Sequence, residues 1–511
     1  MADEEVDSYK LIPPSRRWIV ALLLALSNFM VVLDLTIANV SVPHIAGNLG
    51  ISPNEGTWVI TSYAVAEAIC VPLTGWLALR FGTVRIFILS MIGFGFFSFL
   101  CGVSPTLDML VVSRLGQGIC GGPLMPMSQT LLMRVFPPEA RPRAIGLWAM
   151  TTILGPAVGP IIGGAISDNW SWHWIFFINL PVAAITTAGC IAMLRKVETP
   201  RQKVPIDRVG LILLIFWIGS LQLMLDLGRE RDWFGDPMIV GLGIAAVVGF
   251  CAFLIWELTE EHPIVDLRIF RYRGFTFGVI SLALCFGAYF ASIVVIPQWL
   301  QTAVGYTAMQ AGVVTALTAI AALMSAQVAV RLLPRMDARL LMSVGVAWLG
   351  IMSLWRTQWT SGMDWWAIAI PQFLQGFGMP LFMLPLTSIT LSAVNPSETA
   401  SAAGLQNFLR TMATAVATSL ALTFWTNFQR TSRSEIVSTF HPESVQQSLG
   451  NLGFTNGQTL QTLSNLVEQE ATILALNHLF LMTAFILFIA AATVWLTPKP
   501  TAIVSPGAGG H

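Results

Sequence analysis

The sequence predicts an all-α integral membrane protein: two six-helix bundles with two further helices inserted between them, fourteen transmembrane helices in all. Three observations predict it. Only 11% of the 511 residues are charged while 55% are hydrophobic, whereas a soluble domain carries about 25% charged residues. Such a chain cannot cover a water-facing surface, so lipid is its solvent over most of its length. Fourteen separate runs reach the roughly 20 apolar residues that a helix needs to cross a bilayer. The chain also resembles itself at a fixed spacing. These features exclude a soluble enzyme, a disordered chain and a nucleic-acid binder. The 27 basic residues balance the 27 acidic ones, so no charge excess points to an anionic partner.

Residues 1–17 form a short polar tail. The first bundle, 18–204, holds runs at 18–42, 57–79, 86–104, 108–133, 143–167 and 172–194. The first run follows an acidic tail and lacks a small-residue cleavage site, so it reads as an anchor and not as a removable signal. The inserted pair occupies 205–260, with runs at 208–226 and 237–258. The second bundle, 261–496, holds runs at 274–300, 309–333, 340–359, 365–393, 399–426 and 474–496, and 497–511 is a tail. The runs lack alternation and are too long for barrel strands. The six cysteines (70, 101, 120, 190, 251, 285) all fall inside apolar runs and read as small core residues.

Lys and Arg set the orientation, because cytoplasmic loops are enriched in them. Twenty lie in the N-terminal tail, in every second loop and in the C-terminal tail. Five fall in the alternate loops (Arg229, Arg231, Arg356, Arg430, Arg433), and Arg114 and Arg410 sit inside spans. Both termini are therefore expected in the cytoplasm. Residues 427–473 then face outside. Leu460, Leu463, Leu466 and Val467 recur there at helical spacing after Gly450, Gly453 and Gly457, which reads as a helical hairpin or, failing that, a disordered loop.

The repeat is concrete. Gln117-Gly118 corresponds to Gln375-Gly376, and Ala144 with Gly146-Leu147 to Ala402 with Gly404-Leu405, at an offset of 258 residues. Val42-Pro43 corresponds to Ile296-Pro297 and Arg85 to Arg339 at an offset of 254. Two parallel six-helix copies with a site at their interface are a transporter plan.

Charges inside spans are costly and mark function or pairing. At ~1.5 Å per residue, Asp34 lies about 24 Å above the cytoplasmic boundary and Arg114 about 21 Å, at matching depth in the first and fourth spans. Asp34 reads as a proton-carrying carboxylate or as half of a structural ion pair with Arg114. Glu67, near the midplane of the second span, reads as a substrate or proton contact or as a hydrogen-bonded core residue. Arg410, with Gln406 and Asn407 one turn below it, reads as cavity lining or as helix glue. Met30, Met125, Met127, Met379, Phe382 and Met383 offer an adaptable lining, with plain packing as the alternative. In the fifth span Gly155, Gly159 and Gly163 share one face, interleaved with Pro156 and Pro160 and followed by Gly164. That pattern permits close packing and, beyond it, a bendable seam between the halves. Gly75, Arg80, Gly82 and Arg85 between the second and third spans read as a tight turn or as a latch. No phosphate-binding Gly-x-x-x-x-Gly-Lys-Ser/Thr loop and no hydrolase motif occurs. An ion gradient is then the simplest energy source.

These motifs together resemble the major facilitator superfamily, specifically its 14-span drug:proton antiporters. Four segments carry the resemblance: Leu33-Asp34-x-Thr36-Ile37-x-Asn39-Val40-x-x-Pro43, the Gly75–Gly82 loop, Arg114-x-x-Gln117-Gly118, and the Gly-Pro run followed by Trp172 to Pro181. Gly56 to Ser62 and the long outer loop before the last span resemble the EmrB-like subgroup. The family's loop usually has an acid where Leu79 stands. The resemblance implies a proton-driven efflux pump, and no enzyme, for hydrophobic or amphipathic compounds, with Asp34 and Arg114 in proton coupling. It implies a bacterial inner membrane, a periplasmic membrane-fusion adaptor and an outer-membrane channel. No cofactor or metal is expected. A nutrient symporter on the same fold and a non-transporting polytopic sensor are the rival expectations.

Overall fold

The structure, a computed structural model, describes residues 8–202, 205–228, 231, 233–333, 335–395, 398–439 and 456–498. Every regular element among them is helical. In chain order the α-helices are α1 Pro14–Leu49, α2 Pro53–Gly56, α3 Trp58–Cys70, α4 Thr74–Phe81, α5 Thr83–Gly102, α6 Leu107–Gly121, α7 Leu124–Val135, α8 Arg141–Asn169, α9 Trp174–Phe177, α10 Asn179–Leu194, α11 Arg208–Gly228, α12 Pro237–Thr259, α13 Arg273–Thr302, α14 Ala308–Leu332, α15 Ala338–Arg356, α16 Trp365–Gly376, α17 Gly378–Ser392, α18 Thr399–Thr439 and α19 Asn456–Thr493.

Each apolar run of the sequence is covered by helix. Among the described residues ten helices are long and apolar enough to cross a membrane, eleven if the bent pair α3–α4 counts as one. The expectation of fourteen spans is thus met in part. The remaining helices, α6–α7, α8 and α18, carry the glycines and the Arg, Gln and Asn side chains that face other helices, which dilutes their apolarity. Several runs expected as single helices are broken. Pro72 lacks an amide donor, and α3 and α4 meet there at 58°. Gly122-Pro123 separates α6 from α7, and Phe377 separates α16 from α17. Helix starts are specified locally. Thr106, Asp236, Thr307, Asp337 and Asp364 each accept a hydrogen bond from a first-turn amide, satisfying donors that have no partner within the helix.

The internal repeat reappears in the packing. α1 lies on α8 as α13 lies on α18, and α3 on α6 as α14 on α16. The two bundles meet along two seams. On one, α8 lies against α14 and α17; on the other, α18 lies against α4 and α7 and only grazes α3. Loops bearing Arg80, Arg85, Arg268, Arg271, Arg335 and Arg339 gather at one end of the molecule, here the basic end. Cys251 faces outward, not into the core as expected; Cys70, Cys101, Cys190 and Cys285 are buried.

α18 and α19 run past the apolar stretches on the opposite side. They stay paired there. Gln429 Nε2 donates to Glu468 Oε1 at 2.6 Å and to Thr472 Oγ1 at 2.9 Å. Leu463 is buried, but Leu460 and Leu466 are exposed, so the four apolar residues do not form one covered face. Residues 440–455, with Gly450 and Gly453, lie outside the described residues.

Candidate functional site

Five helices of the first bundle aim polar groups at one dry point. Asp34 comes from the middle of α1. Arg114 and Gln117, three residues apart and therefore on one face of α6, come from the second helix. Ser98 lies on α5, Asn179 begins α10, and the Val59 carbonyl belongs to α3. All five side chains are buried. Arg114 Nη1 donates to Asp34 Oδ2 at 2.5 Å and to Gln117 Oε1 at 2.8 Å. Its Nε donates to Val59 O at 2.9 Å. Asp34 Oδ1 accepts from Gln117 Nε2 at 3.0 Å and from Asn179 Nδ2 at 2.7 Å. Asn179 and Gln117 also reach Ser98 Oγ, at 3.0 and 3.3 Å. The Arg114 guanidinium stands over the Tyr63 ring, 4.4 Å from its centroid, which offers a π face to a cation away from water.

The chemistry follows from the donor count. Three donors converge on the Asp34 carboxylate, so its ionised form is held without water. Burial of any ion is expensive; here Asp34, Gln117 and the Val59 carbonyl answer Arg114 Nη1 and Nε, while among the described residues Arg114 Nη2 is buried without a hydrogen-bond partner. A proton arriving at Asp34 would remove the charge that Arg114 answers and loosen the joint between α1 and α6. Asp34 and Arg114, at matching depth by arithmetic, are thus in direct contact. Sequence reasoning quoted Gln117 and Asn179 only as parts of motifs and overlooked Ser98 and Tyr63; the helical spacing of Gln117 behind Arg114 was the available signal.

The glycine face of α8 abuts this cluster. A Cβ on Gly155 or Gly159 would collide with Val32 or Thr36, and one on Gly163 would lie 3.2 Å from Ile37 O. These residues flank Asp34 on α1. The face therefore docks α8 inside its own bundle, which corrects the expectation of a seam between the halves. The neighbouring Pro160 and Ile161 reach across to Gly312 on α14. Pro156 and Pro160 do not break α8, which is continuous over its 29 residues, and Gly164 faces open space. Replacing Gly159 with Leu is expected to wedge α8 from α1 and lower transport turnover at least about tenfold, with little change in substrate affinity. Initial rates and binding in reconstituted vesicles check this; an unaltered rate refutes it.

The interface between the bundles is polar but narrow. Gln406, Asn407, Arg410 and Met383, with Gln129, Trp148, Phe286 and Thr387, line a cavity of about 10 Å³, enough for about one water. Asn407 Nδ2 donates to Gln129 Oε1 at 3.0 Å across the interface. Arg410 Nη2 approaches Met125 Sδ at 2.7 Å and lies over the Phe286 ring. Glu67, buried on α3, is within electrostatic reach of Arg410. Met30, Met125, Met127, Met379, Phe382 and Met383 belong to one continuous core cluster spanning both bundles.

At the basic end, Gly75 packs on Ser401 of α18, so close that a Cβ would lie 3.0 Å from the Ser401 Cα. Gly82 has φ +93 and makes room for the Glu198 carboxylate. Glu198 accepts from the amides of Val84 and Arg85, both at 3.0 Å. An acid from the segment after α10 thus caps α5, where Leu79 supplies none. Arg80 rests over the Trp76 ring.

Arg356, expected in an outer loop, is instead fully buried at the end of α15. It donates to Gln372 and Gln375, which stand where the repeat places Arg114 and Gln117. Ala288 occupies the position of Asp34. The second bundle therefore repeats Gln117 as Gln375, has an amide in place of Arg114 and no carboxylate in place of Asp34, and takes its buried cation, Arg356, from α15, 258 residues on from Ser98.

Two repeated helical bundles, one of them holding a buried acid–arginine pair, fit the plan of a membrane transporter. The signature described as the Major Facilitator Superfamily matches residues 24–418. The chain belongs to that family and is a transporter, not an enzyme. It is 43% identical over 499 residues to the multidrug export protein EmrB of Escherichia coli K12, covering 96% of this chain and 98% of that one. It is 42% identical over 497 residues to the fatty acid resistance protein FarB of Neisseria gonorrhoeae, covering 96% and 97%. The crystal structure of the human organic anion transporter MFSD10 shares the fold, with a TM-score of 0.57 at 16% identity over 93% of this chain and 100% of that one.

Proposed function

We propose that this protein is a proton-driven multidrug antiporter that exports hydrophobic or amphipathic compounds from the cytoplasm or inner leaflet. The observation that carries the reading is the Asp34–Arg114 contact, a dry carboxylate held by three donors in only one of two repeated bundles. Asp34 exchanges its proton for substrate occupancy, and Arg114 answers the charge. Gln406, Asn407 and Arg410 face the substrate where the bundles part, with Glu67 opposite and the methionines adapting around it. The basic end is cytoplasmic, with both termini, and the chain crosses a bacterial inner membrane fourteen times. The bundles are 18–204 and 261–496, and the inserted pair is 205–260. Export and resistance are what the names of the relatives EmrB and FarB describe, over almost the whole length of this chain. Gly75 against Ser401 joins the two bundles at the basic end, while Gly82 and Arg85 seat the Glu198 carboxylate within the first bundle. In proteoliposomes, a lipophilic dye should be expelled when a pH gradient is imposed and retained when an ionophore collapses it. Export that ignores the gradient would overturn the reading.

Residues 427–473 lie outside in this reading and dock a periplasmic membrane-fusion adaptor leading to an outer-membrane channel; the pairing of α18 with α19 through Gln429 and Glu468 supports it. Leu460 and Leu466 of this segment are exposed among the described residues. Replacing 432–466 with a short Gly-Ser linker should abolish resistance in cells while leaving export from proteoliposomes within about twofold, since connections of 2–8 residues join helices in bundles. Full resistance in the deletion strain would sink the adaptor assignment.

A further inference from the structure

We propose that a membrane-dissolved substrate reaches the interior between α8 and α14, beside Gly146, because the inserted pair α11–α12 closes the opposite seam. The inference rests on the efflux reading and adds the path that substrate takes. On the closed side α18 only grazes α3, and α11 fills the gap. The rings of Trp217 on α11 and Phe408 on α18 lie 6.0 Å apart, edge to face. Ser419 Oγ of α18 donates to Leu225 O of α11 at 2.9 Å. Leu214, Trp217, Ile218 and Phe253 share one buried cluster with Ala68 and Val71 of the first bundle and with Phe275 and Ala402 of the second. Outside α11 stands α12, whose Ile244, Val247, Val248 and Ile255 are exposed to the surroundings. A molecule in the lipid meets two helices there before it meets either bundle.

Among the described residues no further helix covers the seam between α8 and α14. Toward the basic end Gly146 faces Val330 and Leu384; a Cβ added to it would lie 3.1 Å from Val330 Cγ2 and 3.5 Å from Leu384 Cδ2. The atoms it meets are ends of aliphatic side chains, so parting them breaks no polar bond. The interior lies directly behind. Trp148, two residues along α8, and Met383, next to Leu384, are both walls of the central cavity. Trp148 Nε1 donates to Ser128 Oγ at 2.8 Å, which holds the indole across the way in. Trp148 is therefore the movable wall between lipid and cavity, and small Gly146 is the notch in front of it.

The test uses the full chain in proteoliposomes under an imposed pH gradient, with Nile red as the membrane-dissolved probe. Gly146→Phe, and Val330→Phe from the other side of the seam, should each raise the KM for Nile red about tenfold while kcat stays within about twofold, the pattern of obstructed binding rather than of a jammed cycle. Leu221→Phe, on α11 at the covered seam, should change neither. A KM unchanged in both seam variants, or a fall in kcat alone, overturns the proposal, as does a KM raised by Leu221→Phe. Wild-type vesicles that never expel Nile red would refute the transport reading itself, a result distinguishable from failure of the route.

Discussion

Asp34→Asn is expected to abolish gradient-driven export while leaving the protein in the membrane. With a two-unit pH difference each proton supplies about 2.7 kcal/mol, enough for roughly 100-fold substrate accumulation, and a membrane potential adds about 2.3 kcal/mol per 100 mV for each net charge moved. Asparagine has the shape of protonated aspartate but cannot release a proton, so that drive has no point of attachment. Substrate exchange without a gradient should survive, because occupancy of the cavity does not require the proton to move. Asp34→Glu should keep part of the driven activity. The measurement is dye efflux from proteoliposomes with and without a pH step. Wild-type-like driven efflux by the Asn variant would move the proton site elsewhere, with Glu67 the next residue to test.

The second large effect is on stability. Arg114→Met removes the cation in contact with Asp34 and, among the described residues, leaves a buried carboxylate answered by Gln117 and Asn179. Losing one partner of a buried pair costs about 3–5 kcal/mol, whereas replacing both by uncharged groups of similar size is often close to neutral. The Asp34→Asn/Arg114→Met double variant should therefore recover most of what either single variant loses. Reversible unfolding in mixed micelles gives the four values of the cycle. A coupling energy below about 0.5 kcal/mol, the ordinary scatter for independent sites, would mean that the contact stores no energy and that Asp34 and Arg114 act separately.

Much of this protein was legible in one dimension, for definite reasons. Backbone polar groups have no water partner inside a bilayer, so an apolar run of 20 residues has almost no choice but to be a helix. Among the described residues, ten such runs, eleven with the bent pair, are helices long and apolar enough to span, in the expected order. The depth of a residue follows from its count along a helix of fixed rise, which put Asp34 and Arg114 at one level before any packing was known. The offset of 258 residues likewise related Gln375 to Gln117. What the sequence could not contain was the direction in which each face points about its axis. That rotation is set by close packing against neighbours. It decided that the glycines of α8 meet α1 and not the other bundle, and that Arg356 turns inward onto two glutamines instead of out to water. It also decided that Glu198, more than 100 residues further along the chain, supplies the acid missing at Leu79. Whether the inserted helices stand apart or cover a seam is fixed by the same contacts: Trp217 against Phe408 is an event between segments nearly 200 residues apart, and no local pattern in either segment announces it.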